Sequence, residues 1–230
     1  MLTLLFGFKR NVMGMGATEQ ESRYGLALHT TSPQLGLALS NFQGSKKIQT
    51  WDLGRDLSSH LHRLLQAFIA PQTWSDFAFI AVAKGPGSFT GTRIGVATAR
   101  TLAQQLQIPL FAISTLSAIA HYQKQQNPDN FSDSDPIAVQ IPARRHQLFG
   151  GIYHFRTTES KVILPDTIMT ETAWEQTLKQ LSVSYQLVKM EEAQLGKTVV
   201  SVLALAEQQW QQGKRPNPQE AQPFYGQSPV

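Results

Sequence analysis

From Tyr24 onward, short apolar runs alternate with polar positions and predict strands at 24–31 and 35–41, joined by the turn-forming Ser32-Pro33-Gln34, with a third strand at 47–53. The period then changes. Leu57, Leu61, Leu64, Leu65 and Phe68 recur at helical spacing and predict a helix over 55–70 that Pro71 ends. A strand at 77–83, a helix at 91–106, a strand at 110–113 and a helix at 116–126, capped by Ser114 or Thr115, follow. Beyond a polar segment at 127–135, the pattern gives strands at 136–141, 147–155 and 161–164, a helix at 171–181, a strand at 184–189 and a helix at 197–212. From Gly213 the chain is proline-punctuated and reads as extended.

The order β-β-β-α-β-α nearly recurs, which predicts an α/β protein of two duplicated lobes, each with a mixed sheet buried against helices. The expected organisation is a loose extension at 1–22, a first lobe at 23–115, and a shorter second lobe with the tail at 116–230. Met1 to Phe8 is apolar, but Lys9 and Arg10 follow it instead of preceding it, which does not suit a signal segment, and Met13 or Met15 could be the true start.

Composition narrows the chemistry. Among 230 residues there is no cysteine, which excludes a disulfide framework, a thiolate nucleophile and a cysteine-based zinc site, and suits a reducing cytoplasm. The net charge of +4 permits contact with nucleic acid, yet Arg144-Arg145-His146 is the nearest approach to a basic run. No segment approaches the ~20 apolar residues that span a bilayer. His60 and His62 stand two apart on a predicted helix, point away from one another, and cannot share a metal.

The most informative stretch is Lys84-Gly85-Pro86-Gly87-Ser88-Phe89-Thr90-Gly91-Thr92-Arg93-Ile94-Gly95, a glycine-dependent elbow between strand 77–83 and helix 91–106. It fits neither G-x-x-x-x-G-K-[ST] nor G-x-G-x-x-G. The amides of Gly87, Ser88, Phe89 and Thr90 could still receive an anion or a nucleotide phosphate at the helix start, or the glycines could serve the turn alone with Ser88 or Thr90 as cap. Gly91, Gly95, Ala99 and Ala103 recur every fourth residue and form a ridge of small side chains, with Arg93, Ala97, Arg100 and Gln104 beside it. The ridge can pack on helix 55–70 or meet a partner protein.

The duplicated order resembles the actin, sugar-kinase and Hsp70 group of ATPases, in which carboxylates at the ends of the first strands hold a metal or a catalytic water. Here His29 and Pro142 occupy those places, which argues against independent phosphoryl transfer. No nucleophile signature such as G-x-S-x-G occurs, and Ser88 has no identifiable base beside it.

The elbow, together with Ile113-Ser114-Thr115-Leu116, closely resembles the motif of the TsaB (YeaZ) family of tRNA threonylcarbamoyladenosine biosynthesis proteins. The resemblance extends through Thr30-Thr31-Ser32, His60 to Leu65, Ala143 to Phe149, and Pro223-Phe224-Tyr225. It implies a two-lobe actin-like ATPase fold and a non-catalytic subunit that binds and activates a TsaD-like catalytic paralogue. It also implies a TsaE-like ATPase in the complex, tRNA reached through the complex, no cofactor held by this chain alone, and ATP or ADP at the partner interface. The expected partner-binding residues are His60, Arg63, Leu64, Arg93, Gly95, Ala99 and Arg100, so a tryptophan at Gly95 is expected to abolish pairing without unfolding the protein. Family members commonly carry Asp where His29 and Pro142 stand.

Two other classes stay open on sequence grounds. One is a stand-alone ATP-hydrolysing enzyme of the same fold using His29, Ser88 or Thr90. The other is a homodimer or protease-like regulator using the same helix face.

Overall fold

The computed structural model describes residues 24–156 and 160–226. The expected extension at 1–22 and Pro229 therefore lie outside the described residues. The first half runs β1 (Tyr24–His29), β2 (Gln34–Ser40), β3 (Lys46–Asp52), α1 (Leu57–Ile69), β4 (Phe77–Ala83), α2 (Phe89–Leu106), β5 (Leu110–Ile113) and α3 (Thr115–Gln126). The second half runs β6 (Ile137–Pro142), β7 (Gln147–Phe155), β8 (Ser160–Thr170), α4 (Glu171–Lys179), β9 (Gln186–Lys189) and α5 (Val199–Gln211). The β-β-β-α-β-α order recurs as expected.

The strands form two mixed sheets, ordered β3-β2-β1-β4-β5 and β8-β7-β6-β9. In each, the first strand pairs antiparallel with the second and parallel with a later one, β1 with β4 and β6 with β9. Parallel pairing needs a crossover, and α1 and α4 supply it on the outer faces.

Both faces of the first sheet are covered, which explains why β4 is buried along its whole length. On one face Leu26, Leu28, Leu37 and Ile80 meet Leu57, Leu61, Leu65 and Phe68 of α1, with Val96, Ala99 and Ala103 of α2 in the same cluster. Each such large side chain contributes on the order of 1.5–3 kcal/mol by leaving water. On the other face Ala27, Ala38, Phe79 and Phe111 join a core continuous with Leu116 and Ile119 of α3, Val202 and Leu205 of α5, and Ile137 and Val139 of the second sheet. Thus α3 and α5 lie between the sheets, and α5, though late in sequence, packs on β1, β2 and β4. On the far face of the second sheet, Trp174 and Leu178 of α4 cover Ala138, Leu148 and Ile152.

One predicted boundary needs correction. The third strand of the second half was expected to end at 164, before Pro165 and Asp166, but β8 continues to Thr170. Gly150 pairs with Thr167 and Ile152 with Leu164, so β8 carries an extra residue opposite Gly151. This bulge on an edge strand absorbs the proline, because a bulged residue needs no ladder hydrogen bond.

Candidate functional site

The elbow is built by close packing against the end of β1. The Ser88 amide donates to the Thr31 carbonyl at 2.7 Å, and Ser88 Oγ accepts from the Gly91 amide at 3.3 Å, capping α2. Thr30 Oγ1 donates to the Gly91 carbonyl at 2.8 Å. A Cβ at Gly87 would strike the Thr31 carbonyl, one at Gly91 the Thr30 carbonyl, and one at Gly95 the Thr30 hydroxyl. Gly85 and Gly87 also have φ of +101° and +149°, a region that favours glycine.

The tail closes the other side. The Phe224 amide donates to the Lys84 carbonyl at 2.7 Å, and Tyr225 lies 4.4 Å, ring to ring, from Phe89.

These contacts alter the expected anion site. The Ser88 amide is already spent on Thr31, Gly87 is pressed against that same residue, and Phe89 is covered by Tyr225, while Thr90 alone of the four is exposed. The elbow's glycines chiefly let α2 approach β1.

The partner-binding residues divide in two. Arg63 and Arg93 are exposed, and His60, Leu64 and Arg100 are half-buried, with His60 Nδ1 donating to the Asp56 carbonyl at 3.1 Å. Gly95 and Ala99 are buried within the chain, so they cannot form a contact surface as they stand. The ridge of Gly91, Gly95, Ala99 and Ala103 faces inward: its N-terminal half sits on Thr30, and Ala99 and Ala103 enter the core shared with β1, β2 and β4. This burial does not suit the expected partner contact at the ridge, and the expected packing on helix 55–70 is met in part, since Ala99 and Ala103 share a cluster with α1 while Gly91 and Gly95 sit on Thr30. The face left to solvent is the adjoining one, with Arg93, Ala97 and Gln104 exposed.

His29 does not open onto a cleft. It is fully buried on the Ala27 side of β1, with Nε2 3.3 Å from Thr31 Oγ1, and Thr31 Oγ1 is 3.1 Å from Thr115 Oγ1. Among the described residues its Nδ1 has no hydrogen-bond partner, and burial holds its pKa down at about 3, so the ring is neutral. Pro142 ends β6 and is exposed. Arg144, Arg145 and His146 are exposed on the turn that follows. No group of three or more histidine or acidic residues among the described residues could hold a metal ion.

Sequence reasoning missed a second polar cluster. Ser114 Oγ donates to Asp166 Oδ1 at 2.6 Å, the Tyr153 hydroxyl donates to the same oxygen, and the two hydroxyls lie 3.2 Å apart. Burial raises the pKa of Asp166 against the opposing effects of these hydroxyls and of the nearby Lys84 charge. Burial also pushes the Tyr153 phenol up, helped by the Asp166 carboxylate. Ser114 was legible as a helix cap, and it does accept from the Ser117 amide at 3.0 Å. Its link to Asp166 spans 52 positions and depends on the β8 bulge, which no local pattern reveals.

The model of the family described as TsaD, tRNA N6-adenosine threonylcarbamoyltransferase, matches residues 54–206. The chain belongs to that family. The TsaB biosynthesis protein of Bacillus subtilis is 38% identical over 121 residues, which is 52% of this chain and 48% of that one. The Escherichia coli TsaB is 30% identical over 102 residues, 41% of this chain and 42% of that one. The matches thus span about half the length of these curated relatives or somewhat less. YeaZ from Pseudomonas aeruginosa superposes with a TM-score of 0.69 at 21% identity, covering 88% of this chain and 99% of that one. These likenesses support the TsaB (YeaZ) resemblance carried by the elbow motif, and YeaZ shares the fold. No helix among the described residues is long and apolar enough to cross a membrane.

Proposed function

We propose that this chain is a TsaB-type, non-catalytic subunit that binds and activates a TsaD-like paralogue in tRNA threonylcarbamoyladenosine modification. The observation that carries the reading is the 38% identity to a protein named for that biosynthesis, joined to an elbow whose glycines serve packing. The buried, neutral His29 supports catalytic silence, because a ring sealed between β1 and the central helices cannot exchange a proton with substrate. The same fact weighs against the stand-alone ATPase.

In this reading the paralogue docks on the outer face of α1 and α2 through Arg63 and Arg93, with His60, Leu64 and Arg100 at its margin. A TsaE-like ATPase joins that pair, ATP or ADP sits at the shared interface, and tRNA is met through the assembly in the cytoplasm. The same face supports a homodimer when the paralogue is absent.

The test is co-expression with the organism's TsaD-like paralogue and measurement of the complex mass by light scattering. A heterodimer that forms with the wild type and is lost on Arg63→Glu with Arg93→Glu supports the proposal. A chain that stays alone, or a heterodimer indifferent to both changes, overturns it.

A further inference from the structure

The side chain of the elbow's first residue, Lys84, is not used by the packing around the elbow. The Lys84 backbone is fixed on both sides, its amide donating to Ile113 at 2.8 Å and its carbonyl accepting from Phe224, while its side chain lines a separate cavity of about 550 Å³. That volume is ordinary for a small-molecule site, which typically measures about 300–1,000 Å³. The cavity lies between the β5 edge of the first sheet and β7 and β8 of the second, with the C-terminal half of α5 as a further wall. Neither His29 nor Pro142 lines it, so it is distinct from the strand-end position where the fold's acidic residues are expected.

Its lining is built for one kind of ligand. Lys84, Lys161 and Lys214 converge on it against a single acidic side chain among the described residues, Asp166. Even with Asp166 ionised, positive charge is in excess, and the N-terminus of the 12-residue α3 adds to it beside Ser117. Asp166 offsets only part of that charge, and the Ser114 and Tyr153 hydroxyls, both donating to one of its oxygens, hold the carboxylate in place. Gly151 makes this possible: a Cβ there would collide with the Tyr153 hydroxyl. The remaining wall is apolar, from Phe155, Val162, Leu205 and Phe224, with glutamine amides from α5.

We infer that this cavity binds a small organic anion, with its carboxylate or phosphate head on Lys84 and its apolar body against Phe155, Leu205 and Phe224. The inference does not depend on the proposed partner. A charge-assisted contact in a half-enclosed site is among the stronger polar interactions, so Lys84 should dominate the affinity.

The experiment is calorimetric titration of the full chain with phenyl phosphate, hydrocinnamate, inorganic phosphate and the uncharged hydrocinnamyl alcohol. The expected result is saturable binding of phenyl phosphate, hydrocinnamate or both, and the preferred one identifies the head group. Lys84→Met should weaken that binding about tenfold or more, and Lys214→Met, at the exposed mouth, should weaken it less while leaving thermal melting unchanged. If Lys84→Met does not fold, Lys161→Met combined with Lys214→Met decides the matter. Overturning results are binding of neither organic anion, equal binding of the alcohol, binding of inorganic phosphate alone, or affinity unchanged in the lysine variants.

Discussion

The Thr30 hydroxyl occupies the space that a Cβ at Gly95 would need. Gly95 is therefore a packing residue, and the tryptophan first expected to separate partners would instead pry α2 from β1. Even Gly95→Ala is expected to cost about 1–3 kcal/mol, in the range of overpacked cores. Thr30→Ala should recover part of that loss by vacating the space, at the expense of its 2.8 Å bond to the Gly91 carbonyl. Urea denaturation of both single variants and the double one measures the coupling. Simple additivity would show that the clash is relieved elsewhere.

A four-residue repeat of small side chains marks a close approach without saying to what. The decisive contact, Thr30, sits on a loop after β1 and is 65 positions away, where no periodicity points. By contrast, the element order was legible because β4 is apolar throughout and α1 is apolar on one face. Asp166 escaped notice for another reason: Pro165 signals a strand end, and only its place on an edge bulge lets β8 continue.

The exposed face of α1 and α2 supplies the opposite expectation. Arg63 and Arg93 are solvent-facing, so Arg63→Glu with Arg93→Glu should leave stability within about 0.5 kcal/mol of wild type. Equal urea midpoints together with loss of the heterodimer would separate an interface effect from unfolding. A lowered midpoint would mean that these arginines support the fold.

The second sheet carries its own test. Trp174 is buried, and its indole N–H donates to Gln140 Oε1 at 2.8 Å, while a Cβ on Gly150 would press 2.8 Å from the same indole. Gln140→Leu leaves that N–H without its acceptor, and the expected cost is about 1–3 kcal/mol. Thermal melting of Gln140→Leu beside Gln140→Glu distinguishes lost bonding from lost shape, since glutamate keeps an acceptor. A tolerated leucine would show that the indole finds water or another partner.

Acid should weaken the fold through its histidines. Burial holds His29 down to about 3 and, with help from the Lys124 and Lys46 charges, His121 down to about 4, whereas both take up protons near 6.5 once unfolded. The unfolded chain therefore binds more protons than the folded one as pH falls below about 6.5, and stability falls with it until the folded rings titrate. At about 1.4 kcal/mol for each unit of difference, going from pH 7 to pH 5 should cost on the order of 2–4 kcal/mol. Asp166 acts in the other direction, because its raised pKa makes protonation easier in the folded state than in the unfolded one. Urea midpoints across this interval measure the slope, and His29→Gln should flatten it, since it removes the titrating ring while keeping a polar group near Thr31. An unchanged slope in that variant would mean that His29 reaches solvent protons in the native state, and the enzyme reading would regain a proton carrier at the end of β1.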